Sequence, residues 1–171
     1  MKNLAKLCAA TVVVLTIVAC NQTPDTHDAD VAALKAGEAQ WVQDFAAKDV
    51  DKVVAHYTDD ATLMPPGMAP AAGKAAILPM VKEMLADPAL ALKFSATRVE
   101  VAKSGDLGFT QGTYTMTMTD PATKQVVNDH GTYLTTYMKQ ADGSWKAVSD
   151  MQASSVPPPM PAPMAAPAKK K

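Results

Sequence analysis

Few side chains in this sequence are suited to chemistry, and Asp150 is the strongest candidate among them. It lies in the last predicted strand, beside Val148 and Met151. If its carboxyl faces the interior, burial would raise its pKa and suit it to general acid or base catalysis. If it faces outward, it is an ordinary polar strand residue. The sequence therefore predicts one acid–base candidate and leaves its orientation open.

The remaining acidic and histidine residues have less specific interpretations. Asp59 and Asp60 are adjacent, but at a helix-to-strand junction they point in different directions, which favours capping or turn formation over a coupled pair. His56 is near enough to Asp59 for an acid–base or metal pair, although a solvent-facing position on a short helix is the simpler interpretation. Asp129 and His130 alternate along a strand, so they face opposite sides and cannot hold one metal together.

Other catalytic and metal-binding motifs are missing from the sequence. It contains no Ser–His–Asp grouping, no glycine-rich phosphate loop and no dinucleotide fingerprint. No spacing of His, Cys and Asp matches a metal site. We therefore expect no metal and no cofactor.

Methionine is the other informative residue type, because flexible thioethers fill irregular cores and also suit adaptable apolar binding surfaces. The predicted domain contains Met64, Met68, Met80, Met84, Met116, Met118, Met138 and Met151. Both interpretations, core filling and ligand binding, stay open.

The N-terminus carries a targeting signal. A basic segment, residues 1–6, precedes an apolar run from Leu7 to Val18 that is short for a membrane span. The triplet before Cys20, Ile17-Val18-Ala19, resembles the bacterial lipobox. The resemblance implies that residues 1–19 are removed, that Cys20 is lipidated, and that the protein is anchored to a membrane of the cell envelope. Asn21 in place of aspartate implies the outer membrane, facing the periplasm; an ordinary signal cleaved after Ala19 is the alternative.

Polar and proline-rich segments flank the predicted domain. Residues 20–30 are interpreted as the lipidated cysteine and a tether, and residues 156–171 as a disordered Pro-rich tail with a lysine end. The formal net charge is −1 and no extended basic segment occurs. This balance argues against a nucleic-acid partner.

Residues 31–155 predict one α+β domain, because helical patterns come first and strand patterns follow. Leu34, Trp41 and Phe45 share one helix face, and Tyr114 and Met116 alternate with threonines along a strand. The predicted elements are helices Val31–Lys48, Val50–Tyr57 capped by Asp49, and Lys74–Leu85 with Pro79 as a kink or a late start, and strands Asp59–Met64, Leu90–Val101, Leu107–Thr119, Val126–Lys139 and Trp145–Ala153.

Short sequence words at the joints of these elements carry a family resemblance. They are Lys48-Asp49, Tyr57-Thr58-Asp59-Asp60-Ala61-Thr62, Pro65-Pro66-Gly67, Gly73, Ser104-Gly105-Asp106-Leu107-Gly108, Gly131-Thr132-Tyr133-Leu134, Asp142-Gly143-Ser144-Trp145-Lys146 and Asp150. In this order they resemble the SnoaL-like branch of the nuclear transport factor 2-like superfamily, the DUF4440 group. The resemblance implies a cone, with three N-terminal helices packed on a curved, mostly antiparallel sheet of four to six strands. It also implies an apolar pocket at the open end and often a homodimer through the outer sheet face.

This superfamily includes isomerases, dehydratases, cyclases and binding modules, so function has to be argued from the site. Ketosteroid isomerase uses an aspartate base with a tyrosine and a neutral aspartate as oxyanion donors. Aligned on the shared words, the base position falls on Pro65 and the tyrosine on Trp41, and no carboxylate stands between Gly131 and Met138. Isomerase chemistry of that kind is therefore not expected.

Three functions remain from these residues and the resemblance. The first is non-catalytic binding of a small apolar or amphipathic ligand, or of a partner peptide. The second is an isomerase, dehydratase or hydrolase with Asp150 as the acid–base group and Tyr114 or Tyr137 as donor. The third is a dimeric scaffold with an occluded pocket. The predicted pocket lining is Trp41, Tyr57, Met64, Met80, Met84, Tyr114, Met116, Tyr133, Tyr137 and Asp150.

Overall fold

Three helices and six strands make up the part of the chain that the computed structural model describes, residues 26–120 and 123–157. The elements are α1 (His27–Ala46), α2 (Val50–Ala55), β1 (Tyr57–Met64), β2 (Ala71–Ala72), α3 (Lys74–Ala86), β3 (Ala91–Val101), β4 (Leu107–Thr119), β5 (Val126–Lys139) and β6 (Trp145–Ser154). The predicted signal peptide, Cys20, most of the predicted tether and nearly all of the predicted tail lie outside the described residues.

The first helix begins at His27, four residues before the predicted Val31, and ends at Ala46, before the predicted Lys48. Its first turn is held to the sheet, because Asp30 accepts hydrogen bonds from the Thr26 hydroxyl at 2.7 Å and from Lys139 Nζ at 2.6 Å. Residues 27–30, predicted as tether, therefore belong to the folded domain.

The two shorter helices follow their sequence signals closely. Asp49 caps α2 as predicted, with its carboxylate accepting a hydrogen bond from the Lys52 amide at 3.1 Å. The third helix begins at Lys74, and Pro79 lies inside it on the exposed side. A late start at Pro79 is therefore wrong.

The sheet has the order β2-β1-β6-β5-β4-β3. All neighbouring strands are antiparallel except β1 and β6, which are parallel. The last of the described strands, β6, thus lies in the middle of the sheet, between β1 and the meander β3-β4-β5. Bulges interrupt the pairing of β3 with β4, β5 with β6, and β1 with β6, and such bulges bend a sheet.

The helices cover the inner face of the sheet and bury a core against it. Leu34, Val53, Ile77 and Val81 are at most 1% exposed there. The predicted α+β cone with three N-terminal helices on a curved, mostly antiparallel sheet is confirmed. Within the described ranges, no helix combines the length and the apolar character needed to cross a membrane.

Candidate functional site

An open cavity of about 400 Å³ lies between the helices and the inner face of the sheet. Aromatic rings and thioethers form most of its wall: Trp41, Phe45, Tyr57, Phe94, Tyr114, Tyr133, Met68, Met80, Met84, Met116 and Met118. Lining residues that also reach solvent, among them Glu83, Asp87 and Asp129, form its mouth. The cavity is large enough for a small organic molecule.

The alternation of side chains along each strand determines which residues of the sheet form the cavity wall. In β4, Tyr114, Met116 and Met118 face the cavity, whereas Thr113 and Thr115 lie on the exposed outer face. Each of two tyrosines passes close to a glycine on the neighbouring strand. A Cβ at Gly112 would come within 2.8 Å of the Tyr133 ring, and one at Gly131 within 3.0 Å of the Tyr114 ring. Glycine at these two points therefore lets the rings lie against the backbone.

Asp150 faces the interior, which answers the question that the sequence left open. It is 6% exposed, and its carboxyl accepts hydrogen bonds from the Tyr57 hydroxyl at 2.8 Å and the Thr135 hydroxyl at 3.0 Å. Burial raises the pKa of Asp150, and the two hydrogen bonds oppose that rise without cancelling it. The result is a carboxyl group in the cavity wall that holds a proton more readily than an exposed aspartate does.

Two further tyrosines of the cavity also donate to carboxylates. The Tyr133 hydroxyl donates to Glu38 at 2.7 Å, and the Tyr114 hydroxyl donates to Asp129 at 2.8 Å. Burial and the partner raise the pKa of Tyr114 to about 12, and burial with Glu38 raises that of Tyr133 further. These phenols keep their protons and direct them at protein carboxylates. The tyrosine that contacts Asp150 is Tyr57, rather than the predicted Tyr114 or Tyr137.

The structure brings eight of the ten predicted lining residues to the cavity and leaves two away from it. Trp41, Tyr57, Met80, Met84, Tyr114, Met116, Tyr133 and Asp150 line it. Met64 does not, because Leu63 takes the inward position in β1 and the next side chain points the other way. Tyr137 is buried but does not line the cavity, and its hydroxyl lies 3.5 Å from that of Thr110.

A histidine–carboxylate pair lies behind the cavity wall. His56 Nε2 donates to Asp44 at 2.8 Å, and the imidazole stacks on Trp41 with ring centroids 4.9 Å apart. The prediction that His56 faces solvent is wrong, since its side chain is 19% exposed. Burial lowers the pKa of His56 despite the neighbouring carboxylate. Neither residue of the pair lines the cavity. We therefore interpret the pair as packing support for the Trp41 ring, on which His56 stacks.

The acidic positions of α1 were missed by sequence reasoning. Glu38 and Asp44 are 5% and 4% exposed and share the buried face of Trp41 and Phe45. Their helical spacing from Leu34 and Trp41 was the available signal, but an acidic residue at such a spacing is normally interpreted as solvent-facing.

The other titratable candidates are surface residues. Asp59 is exposed and forms an ion pair with Lys74 at 3.0 Å, and Asp60 is exposed as well. Asp129 and His130 lie on opposite faces of β5, as the strand period predicts. Across residues 26–120 and 123–157, no three His, Cys, Asp or Glu side chains come together as a metal site.

The arrangement combines an apolar cavity with one buried, protonatable group. No carboxylate stands in β5 between Gly131 and Met138, but β6 brings Asp150 directly beside Thr135. When protonated, Asp150 has one O–H to donate while it still accepts from Tyr57. This geometry can hold a polar atom of a ligand or move a proton to and from it.

Solved structures of several proteins share this fold. A ketosteroid isomerase-like protein from Erwinia carotovora atroseptica is 26% identical, with 75% of this chain and 98% of that chain covered and a TM-score of 0.66. A nuclear transport factor 2-like superfamily protein from Salmonella enterica serovar Typhimurium is 10% identical, with 84% and 99% covered and a TM-score of 0.61. A hexachlorocyclohexane dehydrochlorinase from Novosphingobium barchaimii is 17% identical, with 75% and 88% covered and a TM-score of 0.63. At their low identity, the last two show a likeness of fold alone.

No match was found among curated proteins. The family model of the SnoaL-like domain matches residues 39–148, which is more than half of the chain and includes most of the cavity wall. The chain therefore belongs to the SnoaL-like domain family.

Proposed function

We propose that this protein is an envelope lipoprotein whose SnoaL-like domain binds a small apolar or amphipathic molecule without converting it. The observation that carries the proposal is the open cavity of about 400 Å³, with a mostly apolar wall and a single deeply buried carboxyl group. Binding sites of this kind pair a large apolar surface with a few polar groups that fix orientation.

Native mass spectrometry of a soluble form, residues 21–171 secreted to the periplasm, tests the binding proposal. A mass above that of the polypeptide, lost on denaturation, is expected. Met116→Trp places a large ring in the cavity and should abolish the extra mass, whereas Thr115→Trp on the outer face is the matched control. A polypeptide mass without addition in all three proteins would contradict the proposal.

Acid–base catalysis at Asp150 is the second candidate, and a specific observation favours it. A buried carboxyl with a raised pKa, bonded to Tyr57 and facing a cavity, is the arrangement expected of a general acid or base. A protein of similar fold is a dehydrochlorinase, so the fold accommodates an enzyme.

The captured molecule distinguishes the two candidates. Incubation of that molecule with fresh protein, followed by mass analysis of the small molecule, should show no change if the domain only binds. If it is converted by the protein and by Asp60→Asn, but not by Asp150→Asn that still binds it, the enzyme candidate replaces the binding proposal.

The anchor is proposed from the residues before Cys20. Incorporation of a labelled fatty acid into the protein in living cells is expected. Cys20→Ser should abolish the label, whereas Cys8→Ser, inside the segment expected to be removed, should leave it. Label retained in Cys20→Ser would contradict the lipoprotein proposal.

A homodimer through the outer sheet face is also proposed. Leu107 and Met138 are cross-strand neighbours on that face and are each 47% exposed. Met151, which is 44% exposed, lies farther along the same face, opposite Leu134. Such adjoining apolar side chains are typical of an interface. Sedimentation should show a dimer that Met138→Lys weakens. Because the cavity is open, the third function, a scaffold with an occluded pocket, is not favoured.

A further inference from the structure

The charged side chains that line the cavity are all acidic. They are Glu83, Asp87 and Asp129 at the mouth and Asp150 in the buried wall, and no described lysine, arginine or histidine joins them. A carboxylate or phosphate entering this cavity would meet like charge, whereas a positively charged group would be attracted. The negative charge of the lining therefore discriminates between ligands that are equally apolar but differ in charge.

The mouth carboxylates are only weakly neutralised by their surroundings. None of the three forms an ion pair within the described part of the chain. Lys48 donates to the backbone carbonyl of Asp87 at 2.5 Å, and its charge is the smallest of the effects on the pKa of the Asp87 carboxyl. The Asp87 carboxylate itself accepts from the Thr119 amide at 2.6 Å and the Thr119 hydroxyl at 2.9 Å, and these bonds lower its pKa.

For Asp129 and Glu83, no basic side chain is among the ion-pair partners found in the described part of the chain. Asp129 accepts from the hydroxyls of Tyr114 and Ser154, which bring no charge, and Glu83 is exposed on α3. The two flank the opening from the sheet side and from the helix side. Negative charge at the mouth is therefore available to a ligand.

The aromatic wall favours the same sign of charge. Trp41, Phe94 and Tyr133 form a continuous series, with ring centroids 6.0 Å and 5.7 Å apart, and Tyr57 lies 5.0 Å from Trp41. A cation close to aromatic rings is attracted by their negative faces, most strongly where water is excluded. The aromatic rings and the mouth carboxylates therefore both favour a ligand that carries positive charge.

We propose that the cavity binds an organic cation, an amine or quaternary ammonium whose apolar body fills the cavity and whose charged nitrogen is held near Glu83 and Asp129. This inference rests on the proposed binding function, and it names the chemical class of the ligand.

Three probes with the same apolar cage test the inference: 1-adamantylamine, 1-adamantanol and 1-adamantanecarboxylate. Calorimetric titration uses the soluble form, residues 21–171 secreted to the periplasm, so that neither lipid nor detergent competes for the cavity. We expect the amine to bind about tenfold more tightly than the carboxylate or better, with the alcohol between them, because charge complementarity discriminates on this scale. High salt should narrow the difference, since it screens charges at a solvent-exposed mouth.

Two double variants show whether the mouth is responsible. Glu83→Gln with Asp129→Asn removes two mouth charges and should bring the three affinities within about threefold. Asp51→Asn with Asp60→Asn changes the net charge equally at exposed positions away from the cavity and should leave the preference intact. Glu83→Lys alone, at an exposed helix position, serves if the Asp129 variant does not fold, and it should weaken amine binding.

The outcomes separate the inference from the function on which it rests. Equal binding of all three probes, or tighter binding of the carboxylate, would overturn the cation proposal while leaving ligand binding intact. A preference for the amine that survives in the mouth variant would overturn the role given to Glu83 and Asp129. Failure of every probe to bind would count against the binding function itself, and the cation proposal would fall with it.

Discussion

Buried aspartates occur in two regions of this domain and behave in opposite ways. Asp30 and Asp44, both on α1, are each 4% exposed, and Asp150 in the cavity wall is 6% exposed. Asp30 pairs with Lys139 and Asp44 with His56, whereas the partners of Asp150 are neutral: the hydroxyls of Tyr57 and Thr135 and the side chain of Gln152.

The partners and the depth of burial together decide the protonation state, because all three side chains are nearly inaccessible to solvent but Asp150 lies much deeper in the protein than Asp30 and Asp44. Hydrogen bonds from Lys139 and Thr26 lower the pKa of Asp30. For Asp44, burial acts to raise the pKa, but hydrogen bonds from His56 and Gln40 outweigh it and the pKa is lowered. For Asp150, burial prevails, both because this carboxyl lies deeper and because the groups that donate to it are neutral and stabilise a carboxylate less than a cation does. The α1 aspartates are thus fixed charges, and the cavity aspartate is a group that can change its charge.

Among these predictions, removal of the cation that pairs with Asp30 should have the largest effect on the free energy of unfolding. Lys139→Met leaves Asp30 buried without its ion pair and should lower the free energy of unfolding by about 2 kcal/mol, less than for a wholly buried pair because Lys139 is partly exposed. Urea denaturation measures the change. Lys103→Met, at an exposed lysine, is the control, and equal stability of the two variants would show that the pair contributes nothing.

Loss of a neutral partner should have a smaller effect. Tyr57→Phe removes the hydroxyl that donates to Asp150 and should cost about 1 kcal/mol of unfolding free energy. Because that bond holds the pKa of Asp150 down, the variant should raise this pKa further, as an NMR titration of the Asp150 carboxyl would show. Tyr137→Phe is the comparison, since its hydroxyl contacts Thr110 at 3.5 Å and Thr135 but is not among the hydrogen-bond partners of Asp150. A drop in the pKa of Asp150 in Tyr57→Phe would reverse the assignment.

The smallest effect is a difference in the pH dependence of stability. The raised pKa of Asp150 means that the folded state holds a proton above the ordinary aspartate value of 3.8, so its contribution to stability is present at low pH and is lost as pH rises through the folded pKa. The lowered pKa of Asp44 has the opposite sign, since its contribution is present above 3.8 and is lost as pH falls through the folded pKa.

Urea titrations between about pH 3 and pH 8 test both signs. Relative to wild type, Asp150→Asn should gain stability as pH rises, and Asp44→Asn should lose it. Slopes of the same sign in the two variants would show that the partner does not decide the protonation state.

Much of the fold was predictable because local patterns and tertiary packing agree. The bounds of β4 and β5 match the prediction, since their alternating side chains face a dry cavity on one side and solvent on the other. The buried face of α1 was predicted from Leu34, Trp41 and Phe45 for the same reason.

The site was less predictable, because its geometry depends on pairings that local sequence does not encode. Asp150 faces inward through the register of β6 beside Thr135 and Leu63, and a shift of one residue would reverse it. The choice of Met64 over Leu63 in β1 is that kind of error. His56 and Asp44 are twelve positions apart, on different helical segments, and only the turn between α1 and α2 brings them together.

The position of β6 in the sheet has a consequence for how the domain folds. This strand is synthesised after the other five described strands, yet it pairs with β1 on one side and β5 on the other. Its Asp150 meets Tyr57 across 93 residues of sequence. Long loops must close before such contacts form, which slows folding. Until β6 docks, β1 and β5 each have an edge with unpaired backbone N–H and C=O groups. A chain shortened within β6 would keep both unpaired edges and would therefore be prone to aggregate.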